Sequence, residues 1–410
     1  MQMVGRAKPA ESKIATMADL KVASAIRVAH DYADVVIASA SGLALAFTAV
    51  FLLAVPMAGN MAGARDFVAY WATGRQLVSH ADPYDRVAVM RIEQAAGLPP
   101  NAVLLMRNPP WALPLAYPLG FIGLRVATVL WSLMLIACLV ISVRLVWTLH
   151  GRPGNYLVWL GYSFPPALIC LIMGQTSLLA LLGLVLFLRF HRSWPFLAGV
   201  SLWLCALKPH LFLPFGVVLL VWALSSRTYR LLAGAAAALA ASCVAAYWID
   251  SEAWTRYLHM MRSPAVENEF IPCLSDAVRL WLRPQSTWLQ YLPAALCCVW
   301  ALAYYWPRRR DWDWKTQGSL LMLVSLVAAP YCWLYDQGLA IPALLQAAYL
   351  TRSRKLLAAL AAISIILDLE FCAFKITSPY YLWTAPVWLI WYLLACAANG
   401  NKQAHQAADG

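Results

Sequence analysis

The run Leu124–Leu149, LRVATVLWSLMLIACLVISVRLVWTL, decides the fold class. Its only charges are Arg125 and Arg144, both towards the ends. An α-helix rises ~1.5 Å per residue, so a run this long crosses the ~30 Å hydrocarbon layer of a bilayer. Working outward, comparable apolar segments recur along the whole chain. They fall at Val35–Pro56, Tyr156–Met173, Ser177–Phe190, Pro195–Leu207, Leu211–Leu224, Leu231–Ile249, Trp288–Trp306, Gln317–Ala329, Gly338–Leu350, Leu356–Phe374 and Tyr381–Ala398. The pattern predicts an all-α integral membrane protein with about 12 transmembrane helices. The 410 residues are 62% hydrophobic and 12% charged, about half the charged fraction of a soluble domain, so lipid must solvate the surplus apolar surface. The abundance of tryptophan and tyrosine fits rings seated at the headgroup boundary.

The organisation follows from these runs. Residues 1–34 form a polar cytoplasmic tail, 35–398 the polytopic domain and 399–410 a second cytoplasmic tail. Two long outer loops, 57–123 and 250–287, interrupt the spans. No small-residue cleavage site precedes the first apolar run, which predicts an uncleaved start. The orientation is set by charge. With the N-terminus inside, the inner loops carry 19 of the 31 basic residues and 7 of the 19 acids, hence the whole surplus of +12. The outer side keeps twelve of each sign and is neutral. That is a positive-inside pattern rather than a nucleic-acid footprint, and it places a multi-pass protein in the cell (inner) membrane with both termini cytoplasmic. The ten cysteines are read as packing residues. Most lie inside apolar runs, and none has the spacing of a zinc site.

The ionisable residues of the outer side concentrate in a few segments, as expected of an active site roofed by loops. Phe67, Tyr70, Trp71, Gly74 and Leu77 or Val78 recur at helical spacing, which predicts an amphipathic helix over Asp66–Ser79 along the outer surface. Asp66 stands at its start, either as a cap or as a functional carboxylate. Asp82-Pro83-Tyr84-Asp85 reads as a turn with structural acids. In Arg107-Asn108-Pro109-Pro110-Trp111 the prolines break any helix and hold Arg107 near the interface, where it either binds a phosphate or snorkels. Gln175, in the corner Gly174–Ser177, is a hydrogen-bond partner for a sugar. Lys208, in Lys208-Pro209-His210, is a fixed cation on the side where cations are unexpected. Pro330–Gln337 packs polar aromatics at another outer corner. Asp368 and Glu370 lie in or at the end of an apolar run, where acids are costly. There is no Walker loop, HExxH or GxSxG, so nucleotide-dependent and metallopeptidase chemistry has no support from these motifs.

In their order and spacing these segments resemble glycosyltransferase family 87. Asp66-Phe67 through Tyr70-Trp71 and Gly74, with Asp82-Pro83-Tyr84-Asp85, is similar to the family's first outer loop. Asn108-Pro109-Pro110, Gly174-Gln175, Ala198-Gly199 through Lys208-Pro209, and Ala329-Pro330-Tyr331-Cys332-Trp333 follow in the family's order. The chain departs after Trp333, where the family often carries histidine and this sequence has Tyr335 and Asp336. The resemblance implies a GT-C-type bundle with outer-face amphipathic helices and an active site on the extracytoplasmic face. It implies a hexosyltransferase, mannose being the family's usual sugar, that draws on a polyprenyl-phosphate sugar donor and a glycolipid or glycan acceptor. Asp66 matches the expected catalytic base. Arg107, Lys208 and His210 are cast at the donor phosphate. Tyr70, Gln175, Trp333, Tyr335 and Asp336 are cast at the sugar or acceptor. No cofactor and no metal is expected. The competing readings are a transporter or flippase of lipid-linked sugar, which should show internal repeats and broken spans at mid-membrane, and a non-catalytic envelope-assembly subunit, which has no use for Asp66.

Overall fold

The computed structural model describes residues 39, 41–46, 48–50, 52, 66–99, 103–153, 156–264, 269–351 and 353–408. The tail 1–34 and most of the expected first span, Val35–Pro56, lie outside the described residues. Among those described, every regular element is helical. Among the described residues, five helical segments are long and apolar enough to cross a membrane: Leu124–Leu149, Tyr156–Met173, Tyr229–Ile249, Arg354–Ala373 and Pro379–Ala398. Ser177–Phe190, Pro195–Ala206 and Pro209–Ser225 are apolar but shorter. Proline accounts for many of the breaks, because it lacks the donor that continues a helix and is best tolerated in the first turn. Tyr156–Met173, read as one span, is a 3₁₀ turn, the single helical turn Trp159–Tyr162 and the helix Pro165–Met173, which opens on Pro165 and Pro166.

Two features bind the bundle. Helices Pro195–Ala206 and Tyr229–Ile249 touch backbone to backbone. A Cβ on Gly199 would run into the Leu231 carbonyl, and one on Gly234 into that of Phe196. Small residues permit this approach where dispersion, not water exclusion, drives helix pairing in lipid. The second feature is an aromatic knot around the fully buried Trp314, with ring centroids of Phe215, Phe187, Trp222 and Trp312 at 4.9, 5.2, 5.5 and 5.5 Å. The knot clamps the Phe187 end of helix Ser177–Phe190, leaving the Ser177 end to the site. All ten cysteines are free thiols.

The segment expected as a surface helix differs from that reading. The helix runs Phe67–Val78 and is buried around most of its circumference, leaving Arg75 as its exposed residue. The reason is non-local. One side packs on Leu124–Leu149, where Trp131 lies 5.4 Å from the Phe67 ring and stacks on Tyr70 at 5.3 Å. The segment Pro110–Ile122 covers another side, taking hydrogen bonds from Trp71 Nε1 to the Ile122 carbonyl at 3.0 Å and from Arg75 to the Gly120 carbonyl at 3.1 Å. The following turn is built as read. Asp82 accepts from the Tyr84 amide, and Asp85 caps helix Arg86–Ala95 by accepting from the amides of Val87 and Ala88.

Candidate active site

Asp66 immediately precedes helix Phe67–Val78 but makes no capping bond to it. Its Oδ2 instead accepts from Gln175 Nε2 at 2.7 Å, across more than a hundred residues of sequence. The corner that presents Gln175 explains why a glycine comes before it. Helix Pro165–Met173 ends on Gly174 in the left-handed conformation, φ +73°, which favours glycine. A Cβ there would also lie 2.7 Å from Phe67 Cβ, the neighbour of Asp66. Trp131 Nε1 donates to the Gly174 carbonyl at 2.8 Å, and the Gln175 amide returns to the Cys170 carbonyl at 3.1 Å. Corner and carboxylate are therefore held at contact distance.

Behind Gln175 lies a buried polar network. Gln175 Oε1 accepts from Tyr70 Oη at 2.9 Å and from Lys208 Nζ at 3.0 Å. Lys208 Nζ also donates to Ser177 Oγ at 3.1 Å and to Asp336 Oδ1 at 2.7 Å, and lies 4.8 Å from the centre of the Tyr335 ring. Ser177 Oγ donates to the same Asp336 oxygen at 2.5 Å, while Asp336 Oδ2 accepts from the Trp333 amide at 2.9 Å. The Lys208 and Asp336 side chains are 9% and 1% exposed. Asp336, expected at a sugar, lies beneath the site as the counter-ion of Lys208. Tyr335 is buried beside it, and Trp333 is half-exposed with its ring roughly parallel to Tyr335 at 6.1 Å.

The other expected cations stand apart from this network. Arg107 forms an ion pair with Glu269, both about one-third exposed. Asn108 next to it is buried and donates to Thr176 Oγ1 at 3.3 Å and to the Leu207 carbonyl at 2.9 Å, tying the Arg107 segment to both corners. His210 packs its ring on Tyr331 at 3.9 Å. Desolvation, with Lys208 adding, lowers its pKa to about 3 against the opposing pull of Asp336, so the imidazole is neutral at physiological pH. Among the described residues, no three His, Cys, Asp or Glu side chains converge in a way that could hold a metal ion.

Burial raises Asp66 from 3.8 to about 6. The Gln175 hydrogen bond and the Lys208 and Arg107 charges oppose that rise, and Glu269 adds to it. A carboxylate tuned to that value is mostly ionised at neutral pH yet basic enough to accept a proton. Glu93 is a second buried carboxylate in this loop, pushed up to about 7 by desolvation. Its Oε2 accepts from the Leu104 amide at 3.0 Å, and Oε1 has no partner among the described residues. The sequence reading gives Glu269 and Glu93 no role, and names Ser177 only as the end of the Gly174–Ser177 corner. Only Ser177, at the opening of a helix beside Gln175, left a local signal.

The sequence model of glycosyltransferase family 87 matches residues 107–330, more than half of the chain. No curated protein and no solved structure matches it. Arg107, Gln175, Lys208 and His210 fall within the matched residues. Asp66, Tyr70, Trp333, Tyr335 and Asp336 fall outside them and reach the matched part through the contacts above.

Proposed function

The chain belongs to glycosyltransferase family 87, and from that premise we propose that it is a membrane hexosyltransferase which moves a sugar, mannose by preference, from a polyprenyl-phosphate donor to a glycolipid or glycan hydroxyl on the extracytoplasmic face. The observation that carries this reading is the half-buried Asp66 carboxylate, held by Gln175, raised to about 6 by burial and within the electrostatic reach of Lys208 and Arg107.

In the proposed single displacement, Asp66 takes the proton of the acceptor hydroxyl as its oxygen attacks the anomeric carbon. The bond from that carbon to the phosphate oxygen breaks, and the electron pair leaves with the polyprenyl phosphate. The anomeric configuration inverts. The free energy resides in the sugar–phosphate linkage, so no nucleotide is needed. Arg107 is positioned for the departing phosphate, because its Glu269 partner is partly solvated and exchangeable. Lys208 contributes a fixed positive charge through the wall of the site. His210, neutral, serves as a hydrogen-bonding group. Trp333, half-exposed, borders the sugar, whereas Tyr70, expected there too, is buried against Trp131 and acts from behind by donating to Gln175. Tyr335 and Asp336 act from beneath, by holding Lys208.

The test is reconstitution in liposomes with a panel of radiolabelled polyprenyl-phosphate hexoses and a membrane lipid extract. Label in a new glycolipid or glycan supports the transferase. Label that crosses the bilayer still attached to its donor lipid would replace it with a flippase.

A further inference from the structure

Gln175 has an amide whose two ends are claimed by chemically opposite partners. Its oxygen accepts from Tyr70 Oη and Lys208 Nζ, which fills both carbonyl lone pairs. Its nitrogen donates to Asp66 Oδ2 at 2.7 Å. Lys208 has donors only, so a flipped amide would set N–H against ammonium on one side and carbonyl against carboxylate on the other. The sense of the amide is thus dictated by Lys208, which is itself pinned by Asp336 and Ser177. Among the described residues nothing donates to Asp66 Oδ1.

We propose that Gln175 is a positioning residue for the proton-accepting carboxylate: it fixes Oδ2 of Asp66 and leaves Oδ1 to face the acceptor hydroxyl. This rests on the reading of Asp66 as the base and replaces the expectation of Gln175 as a sugar ligand. The chain Asp336, Lys208, Gln175, Asp66 carries rigidity from three helix corners to one oxygen. It also explains the expense of burying an ion pair beside the site. Lys208 orients the amide, and the amide orients the carboxylate. The groups that act electrostatically on Asp66 are Lys208, Arg107 and Glu269; Glu93, Tyr70 and Tyr335 feel its charge in turn.

The experiment compares wild type, Gln175→Met and Gln175→Asn, reconstituted and confirmed folded by tryptophan fluorescence. Asp66→Asn serves as the reference that identifies the Asp66 carbonyl stretch in pH-difference infrared spectra. The infrared titration midpoint of Asp66 should move to higher pH in both variants, because each removes or displaces a hydrogen bond to the ionised form. Transfer should fall about tenfold or more in kcat, with donor KM changed less than about twofold. A sugar-contact role would instead raise KM and leave the midpoint in place. An unmoved midpoint in folded Gln175→Met, or an effect confined to KM, overturns the proposal. The base reading fails separately: it falls if Asp66→Asn transfers sugar at the wild-type rate, whatever Gln175→Met does.

Discussion

Replacing Lys208 with methionine keeps the aliphatic stem and removes only the ammonium. That leaves Asp336, 1% exposed, with the Ser177 hydroxyl and the Trp333 amide but no counter-charge. Removing one partner of a buried ion pair typically costs ~3–5 kcal/mol, because the other charge remains desolvated. The two surviving hydrogen bonds place this case at the lower end, about 3 kcal/mol. Asp336→Asn strands the ammonium instead, although Gln175 Oε1, Ser177 Oγ and the Tyr335 face still receive it; its cost should be about 2 kcal/mol. The double variant buries no charge and should lose only about 2 kcal/mol. The coupling between the sites is then about 3 kcal/mol. Unfolding in mixed micelles, titrated with denaturant and followed by tryptophan fluorescence, measures all four proteins. Single variants within about 0.5 kcal/mol of wild type, or a double variant as costly as the two singles together, would refute the reasoning.

Glu93→Gln should be neutral in stability below pH 4.5 and increasingly stabilising as pH rises through about 7, because the folded state resists ionising Glu93 while the unfolded chain does not. Melting curves between pH 4 and 8 check the sign, and a parallel pH dependence for the two proteins would contradict it. Gly174→Ala should cost about 2 kcal/mol or more, from the left-handed backbone and the clash with Phe67. It should also slow transfer by prising Gln175 from Asp66, so normal melting with normal activity counts against the corner geometry. Transfer by wild type should rise with pH through about 6 and then level, since the base must be ionised; a limb near pH 4 would mean that Asp66 is not desolvated during turnover.

What the sequence disclosed was local in origin. Leu124–Leu149 declares itself because its side chains are apolar all round, a signal that needs no knowledge of the neighbours. Asp85 before Arg86–Ala95 was legible for the same reason, as a turn acid whose oxygen reaches the amides just ahead. Helix Phe67–Val78 reads as superficial because its covering segment, Pro110–Ile122, arrives from later in the chain and takes bonds from Trp71 and Arg75 that no periodicity encodes. The corner residues Gln175 and Lys208 were singled out, yet what they do for each other could not be read, since Lys208 and its anchor Asp336 are 128 residues apart. Asp336 reads as a sugar-contacting residue, and only its burial against Lys208 shows it as the counter-ion of the lysine. Glu269 gave no sign at all, being one acid in a polar loop until the fold sets it against Arg107.

The most direct test of the account is transfer by Asp66→Asn. The variant keeps the shape and the hydrogen-bonding reach of the side chain but cannot take up a proton from the acceptor hydroxyl. Wild type and the folded variant are reconstituted side by side with radiolabelled polyprenyl-phosphate mannose and a membrane lipid extract, and incorporation of label into new glycan or lipid is followed over time. The account predicts that the variant loses about a hundredfold or more of the wild-type rate; incorporation at the wild-type rate would remove Asp66 from the chemistry.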